Sequence, residues 1–345
     1  MDKTIISSER INRDSNFELA RIVAMIMIVI GHFVVHGIWG GEFCSKSNLE
    51  HQWNCIIENL IYSFCVCGVN IFVLISGYHK IKFRLKAFLS LWFLCAFYGL
   101  IAAFVNNGAD TSLLPKLFNS LFVSNSQWFF KAYLWLLVFS PILNSGLDSM
   151  QIGACRRFVF ILFLLNCFSG WVLNNANANG YNVLQLMFIY IIGRWLRIEP
   201  LVQKIHHGIY LAFFFFISIL ICISAVLSLL ILDGSNFPIY FYNNPLVVCA
   251  SISIFCFFSQ IKIQSKIVNT IASTVVAALF IQDFIASEWI YNSINEAYHH
   301  GIKAFSSCCV IWFFLIFLIA FIVENFRQRI CQPIITRLEQ IIASL

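Results

Sequence analysis

Charged residues are scarce in this chain, and their scarcity excludes a soluble globular protein. Asp, Glu, Lys and Arg make up 11% of the 345 residues, whereas hydrophobic residues make up 60%. The mean hydropathy is +0.82. Soluble domains carry roughly 25% charged residues, so the composition predicts an integral membrane protein. No polar stretch is long enough for a separate nucleic-acid-binding domain, and no nucleic-acid partner is expected.

The chain also lacks the cysteine spacing of a disulfide framework or a zinc site. Its 13 cysteines are scattered, mostly within apolar runs, as with the adjacent Cys308 and Cys309. Free cysteines in such runs usually pack as small apolar residues. We therefore expect no disulfide network and no metal site.

Apolar runs of about 17 to 25 residues predict the membrane-spanning helices. Ten such runs lie at residues 17–38, 57–78, 87–105, 127–144, 157–174, 183–198, 208–232, 245–261, 268–290 and 304–323. The first is too long and too polar for a cleaved signal peptide, so we expect it to remain as a signal anchor. The sequence thus predicts an all-α polytopic membrane protein with about ten transmembrane helices.

The distribution of basic residues sets the expected topology. With the N-terminus inside, most Lys and Arg fall in the cytoplasmic segments, above all at 80–86, and few fall in the external loops. This bias predicts an even number of crossings with both termini cytoplasmic. We therefore expect a cytoplasmic segment at 1–16, a ten-span domain at 17–323 and an amphipathic cytoplasmic tail at 324–345.

The first predicted span carries four ionisable residues. They are Glu18, Arg21, His32 and His36. Arg21 and His32 are eleven positions apart, so they lie within roughly 20° of each other on an α-helix. Glu18 and His36 fall on the same face by the i, i+3 and i, i+4 spacing. Such groups in a membrane must face a protein interior or a wet cavity, so we expect them to line one shared pocket.

This stripe has the residue types of an active site. A histidine can act as general base toward a hydroxyl, and an arginine can bind an anion or stabilise a developing oxyanion. The alternative is that His32 and Arg21 only make interhelical hydrogen bonds, or that Arg21 reaches the cytoplasmic surface.

Three stretches resemble the acyltransferase 3 family of membrane acyltransferases. The stretch RDSNFELARIVAMIMIVIGHF (Arg13–Phe33) has the family's arginine and histidine separated by ten residues, and Asn16 and Glu18 match its polysaccharide O-acetyltransferase branch. The stretches VNIFVLISGYHKIKFRLK (Val69–Lys86) and QWFFKAYLWLLVFSPILN (Gln127–Asn144) resemble the end of its second span and its fourth span.

The resemblance implies that an acyl group, usually acetyl, passes from cytoplasmic acetyl-CoA to a hydroxyl of a surface or lipid-linked polysaccharide at a bacterial inner membrane. His32 would deprotonate that hydroxyl, directly or through a transient acyl-histidine. Arg21 would stabilise the thioester's oxyanion or bind a CoA phosphate, and Glu18 would orient Arg21.

The donor is expected to bind at the basic loop that follows the second span. Lys82, Arg84 and Lys86 suit the phosphates of CoA, and the alternative is that they only set topology. Ser76 and Gly77 end the second span and would let the backbone approach the pantetheine arm, with close helix packing as the alternative.

The acceptor is expected to meet aromatic and polar side chains toward the outer side. The predicted acceptor-binding residues are His36, Trp128, Tyr133 and Gln282. The aromatic rings suit sugar stacking, and an interfacial aromatic belt is the alternative. The ninth span has ALFIQ at 278–282 where many relatives have YLIH, so Gln282 and Asp283 are expected to serve only as hydrogen-bonding partners.

Two other functions fit many spans with buried charges. A polysaccharide flippase or transporter would show the same features without covalent chemistry. A polysaccharide polymerase or ligase should carry a large external loop with several arginines, and the external loops here hold almost none. The Arg21 and His32 spacing, together with the other two stretches, favours the acyltransferase.

Overall fold

The computed structural model describes residues 14–40, 52–107, 128–175, 177–231 and 238–344, together with residues 115, 118 and 119. Helices form nearly all of this part of the chain, and it contains no strand. The predicted N-terminal segment up to residue 13, and most of the predicted loops at 39–56 and 106–126, lie outside it.

Fourteen α-helices follow one another along the described residues. They are α1 (Ser15–His32), α2 (Gln52–Cys65), α3 (Gly68–Tyr78), α4 (Leu85–Asn107), α5 (Trp128–Asp148), α6 (Ile152–Leu165), α7 (Val183–Ile198), α8 (Pro200–Lys204), α9 (His207–Ile231), α10 (Pro245–Gln260), α11 (Lys266–Ala272), α12 (Val276–Phe280), α13 (Ser287–His299) and α14 (Ile302–Ala343). This architecture confirms the prediction of an all-α polytopic membrane protein.

Eight helical segments of the described chain are long and apolar enough to cross a membrane. Two further helices, α7 and α10, coincide with the sixth and eighth predicted spans, but each has only 16 residues. Such a helix is about 24 Å long, which is shorter than the roughly 30 Å hydrocarbon core of a bilayer. Eight of the ten predicted spans therefore have the length and the apolar composition of a membrane-spanning helix.

The C-terminal tail continues the last span without a break. α14 runs through Pro333 and has 42 residues, which corresponds to about 63 Å. That is roughly twice the hydrocarbon thickness. The predicted boundary at 323/324 therefore falls inside one helix.

Three segments of the described chain form π-helical turns. They are Phe33–Ile38, Asn166–Val172 and Ile281–Ile285. π-Turns are rare and often occur at functional sites, because the wider turn changes which side chains face inward. His36 lies in the first of them and Asp283 in the third, and these two segments meet at the cavity described below.

The end of the bundle where α1 begins carries several basic side chains, and we call it the basic end. Asn16 Nδ2 donates a hydrogen bond to the carbonyl of Phe258, which fixes the start of α1 against the end of α10. Asp148, at the end of α5, pairs with both Lys80 and Arg194. These contacts gather the ends of five helices (α1, α3, α5, α7 and α10) around one polar surface.

Helices α3 and α7 approach each other closely at two glycines. A Cβ on Gly77 would overlap the carbonyl of Tyr190, and a Cβ on Gly193 would lie 2.5 Å from the carbonyl of Leu74. Of the two interpretations of Gly77, the structure therefore favours close packing of α3 against α7 over an opening for the pantetheine arm.

We expect Gly77→Ala to destabilise the protein by at least about 1–3 kcal/mol, the usual cost of overpacking a tight contact. The unfolding temperature in detergent should fall accordingly. Gly146→Ala is the matched control, because a Cβ at that helical glycine would meet nothing within 4 Å. Equal unfolding temperatures for the two variants would contradict the packing role.

Candidate active site

A cavity of about 590 Å³ lies between α1, α2, α3, α5, α13 and the π-turn at 281–285. Its walls are mostly aromatic and aliphatic, and its polar groups are few. Its lining includes the polar and aromatic side chains of His32, His36, Trp128, Tyr181, Tyr242, Asp283 and Tyr291. A mostly apolar cavity with a few convergent polar groups is the usual form of a small-molecule site.

His32 and Asp283 form the polar centre of this cavity. The imidazole Nδ1 of His32 lies 3.1 Å from the carboxylate Oδ1 of Asp283. The hydroxyl of Tyr291 donates a hydrogen bond of 2.5 Å to the same oxygen. The negative charge of the carboxylate can therefore stabilise a protonated imidazole.

His36 lies beside His32 on the same wall. The two ring centroids are 5.2 Å apart in an edge-to-face arrangement, and the ring of Tyr291 lies 5.1 Å from that of His36. Ligand atoms of His32, His36 and Asp283 lie within 4.8 Å of one another, which is close enough to hold a metal ion. A role for His32 in proton transfer requires that it be free of metal.

An aromatic wall closes another side of the cavity. Trp128 stacks on Tyr242 with ring centroids 5.6 Å apart, and its ring meets that of Tyr181 edge to face at 5.0 Å. Burial raises the pKa of Tyr242 well above its usual value, so the phenol stays protonated. Trp128, one of the predicted acceptor residues, thus lies in the cavity that contains His32.

A network of buried carboxamides supports this wall. Asn177 Nδ2 donates hydrogen bonds to Asn166 Oδ1 at 2.7 Å and to Gln185 Oε1 at 2.8 Å. Gln185 Nε2 in turn donates to the backbone carbonyl of Tyr242 at 2.7 Å. These hydrogen bonds tie the backbone of Tyr242 to the surrounding carboxamides and so help to position its ring.

Arg21 and Glu18 lie at the basic end and do not line the cavity. Arg21 Nη1 donates to both carboxylate oxygens of Glu18 at 2.9 and 3.0 Å. Glu18 is buried, and the Arg21 side chain is 37% exposed. The expected contact between Arg21 and Glu18 is present, but the four ionisable groups of the first span do not share one pocket. About 16 Å of helix separates Arg21 from His32.

Two other predicted residues make helix-to-helix contacts. The hydroxyls of Ser76 and Tyr133 are hydrogen-bonded at 2.7 Å, which joins α3 to α5 between the basic end and the cavity. Gln282 is fully buried, and its Nε2 donates to the carbonyl of Val29 in α1 at 3.0 Å. Neither Tyr133 nor Gln282 lines the cavity. In the π-turn, Asp283 faces the cavity and Gln282 faces α1 instead.

The predicted donor loop lies at the basic end. Lys82 and Arg84 are exposed in the connection between α3 and α4. Lys86 Nζ lies 4.0 Å from Glu339 Oε2 of α14. The three cations are therefore on the surface and can meet a phosphorylated ligand from solvent.

Asp283 and Tyr291 are the principal site residues that the sequence did not single out for catalysis. They lie more than 250 positions after His32 along the chain. At 278–282 the sequence differs from many relatives by lacking a histidine, and this difference was the only sign of a site in the region. Nothing in the local pattern indicated that the carboxylate would face His32.

Taken with the helical bundle, a histidine beside a carboxylate at the wall of a cavity is an arrangement that can carry acid–base chemistry within a membrane protein. The family model described as an acyltransferase domain, that of the acyltransferase 3 family, matches residues 14–323. The chain therefore belongs to the acyltransferase 3 family and is a membrane acyltransferase. No curated protein and no solved structure matches it significantly.

Proposed function

We propose that this enzyme transfers an acetyl group from acetyl-CoA to a hydroxyl of a cell-surface or lipid-linked polysaccharide in the bacterial inner membrane, as the polysaccharide branch of its family does. The observation that carries this proposal is the 3.1 Å contact between His32 and Asp283 at the wall of a cavity in an acyltransferase fold. The partners are then the membrane lipid and the polysaccharide acceptor.

In this mechanism His32 Nε2 takes the proton from the acceptor hydroxyl as its oxygen attacks the thioester carbonyl carbon. The negative charge of Asp283 stabilises the imidazolium that forms, and Tyr291 fixes the carboxylate by its hydrogen bond. When the tetrahedral intermediate collapses, the carbon–sulfur bond breaks and the imidazolium protonates the leaving thiolate. The products are the sugar ester and CoA.

A transient acyl-histidine is the second route that the sequence left open. In that route His32 Nε2 attacks the thioester first, the carbon–sulfur bond breaks and the CoA thiolate leaves. The acceptor hydroxyl then attacks the acyl-imidazole, the carbon–nitrogen bond breaks to return the imidazole, and the hydroxyl proton passes to the thiolate. Both routes need the same nitrogen, so both depend on Asp283 holding the ring through Nδ1. Rapid-quench analysis for an acid-labile acyl-enzyme separates them.

The acceptor sugar fits the aromatic wall. Trp128, Tyr181 and Tyr242 present ring faces and edges on which the apolar side of a sugar can stack, and all three line the cavity that contains His32. His36 offers a further hydrogen-bonding group beside His32. These side chains support an acceptor hydroxyl near the proposed base.

The donor phosphates are assigned to the basic end, where Arg21 and the basic loop lie, and Ser76, between that end and the cavity, lies on the path of the donor's arm. Neutralising Lys82 and Arg84 together with glutamine should raise the KM for acetyl-CoA by about threefold to tenfold and leave kcat nearly unchanged, because exposed cations contribute modestly to binding. Steady-state kinetics in membranes measure both constants. The pair Lys262→Gln and Lys266→Gln, also exposed, is the matched control. An unchanged KM in the first pair would leave topology as the role of the loop.

The test of the activity itself is transfer of label. Cells that make the protein and receive radiolabelled acetyl groups should carry the label in their surface polysaccharide, and cells without it should not. Mass analysis of the glycans identifies the modified sugar. A polysaccharide whose export depends on the protein but which carries no acetyl group would favour the flippase function instead.

A further inference from the structure

Three helices bring His79 and two arginines, Arg21 and Arg197, together at the basic end. His79 directly follows α3, Arg197 lies in the last turn of α7, and Arg21 lies in the second turn of α1. Burial lowers the pKa of His79, and the positive charges of Arg21 and Arg197 lower it further. Asp14 and Glu18 oppose them. The rings of His79 and Tyr78 lie 5.6 Å apart, and Phe17, one helical turn before Arg21, packs against both of them.

Arg197 is held by an aromatic ring. Its guanidinium carbon lies 4.8 Å from the ring centroid of Tyr78, and Tyr78 packs against Phe17 at 5.1 Å and Phe255 at 5.4 Å. A guanidinium stacked on a ring keeps its in-plane N–H donors available for an anion. Arg197 is exposed and has no ion-pair partner within the part of the chain that the structure describes.

Arg21 is compensated by Glu18, whereas Arg197 is not. The ring of His79 is fixed edge to face against Phe17 at 4.5 Å, so it cannot leave the cluster easily. A cavity of about 290 Å³ adjoins Tyr78, and Gln203, Ser259 and Gln260 supply polar groups to its wall. This cavity thus places hydrogen-bonding groups next to the Tyr78 ring that holds Arg197, and a positive charge beside hydrogen-bonding groups suits an anion.

We propose that Arg197, presented on the Tyr78 ring and assisted by His79 and Arg21, forms a binding site for a phosphate ester, and that this phosphate belongs to the acyl donor. The donor assignment rests on the proposed function. The site lies near Arg21, about 16 Å along α1 from His32, so a donor whose phosphates are separated from its thioester by an extended arm can reach both. The loop residues Lys82 and Arg84 follow His79 closely in the chain and extend the same basic surface.

The proposal is tested by replacing Arg197 with glutamine in the full-length protein and comparing two donors. The KM for acetyl-CoA should rise about tenfold with little change in kcat, because one charge-assisted contact to phosphate is lost. The KM for acetyl-pantetheine, which carries no phosphate, should not change. Arg197→Lys should recover part of the affinity, since it keeps the charge and loses the planar fork.

Arg157→Gln is the matched control, because Arg157 is another exposed arginine, near the start of α6. It should leave both KM values and the unfolding temperature unchanged. Equal losses with acetyl-CoA and acetyl-pantetheine in Arg197→Gln would overturn the phosphate site, as would an unchanged KM for acetyl-CoA.

A binding measurement separates this proposal from the proposed function. Purified wild-type protein should bind radiolabelled CoA more tightly than the Arg197→Gln variant by about tenfold, whether or not any acceptor is acetylated. Equal affinities would overturn the site. Phosphatidylglycerol and phosphatidylcholine vesicles test the other source of phosphate. If Arg197→Gln weakened only the preference for phosphatidylglycerol and left CoA binding intact, the donor assignment would be wrong.

Discussion

Replacing His32 with alanine should lower acetyl transfer by at least about two to four orders of magnitude, the usual contribution of general acid–base catalysis. The reason is that His32, rather than its neighbour His36, is the histidine that pairs with Asp283, at 3.1 Å. The amount of protein in the membrane and its unfolding temperature should change little by comparison. The measurement is the rate of acetyl incorporation into polysaccharide per molecule of inserted protein.

The control for this variant is His300→Ala. His300 is exposed and follows the end of α13, away from the cavity lining. It should retain wild-type activity. Wild-type rates in a normally inserted His32→Ala protein would remove the histidine from the mechanism, and with it both the general-base route and the acyl-histidine route.

Replacing Asp283 with asparagine should have the second largest effect. The amide keeps the size of the side chain but removes the negative charge that stabilises the His32 imidazolium, so we expect a loss of about two orders of magnitude or more in kcat. Tyr291→Phe, which removes only the hydrogen bond to Asp283, should lose less. The effects should appear in kcat rather than in the KM for acetyl-CoA.

Glu288→Gln is the matched control for Asp283→Asn, because Glu288 is an exposed carboxylate five residues later in the chain. It should leave kcat unchanged. A similar loss in both variants would mean that Asp283 acts only through the stability of this region, and full activity in Asp283→Asn would separate the carboxylate from the chemistry.

Much of the fold could be predicted from the sequence because the membrane imposes one strong rule. Long apolar runs must become helices, and each of the ten predicted runs is largely helical over its described residues. The exceptions have a physical cause. α7 and α10 have 16 residues each and are shorter than the hydrocarbon core of a bilayer. The tail is a continuation of α14, because Pro333 does not end that helix.

The site could be predicted only as far as local spacing reaches. His32, His36 and the Arg21 and Glu18 contact follow from positions on one helix, and the structure shows the expected neighbours. The partner of His32 depends on which distant helix packs against α1. Local spacing contains no information on that packing.

The aromatic residues also depend on packing between distant helices, which local spacing does not predict. Trp128 and Tyr133 are five positions apart in α5. From the sequence, both are predicted to bind the acceptor. The structure places Trp128 against Tyr242 in the cavity and joins Tyr133 to Ser76 instead. Tyr181 and Tyr242 come from connections between helices, where periodicity gives no signal.

The wide turn at Ile281–Ile285 has a consequence for how this chain can vary. An i→i+5 turn accommodates one residue more than an ordinary helical turn, which offsets the angular phase of the side chains by about 100°. Losing a single residue there would restore regular hydrogen bonding and rotate the carboxylate away from its imidazole. Homologues should therefore exchange apolar side chains freely in this turn while rarely altering its length.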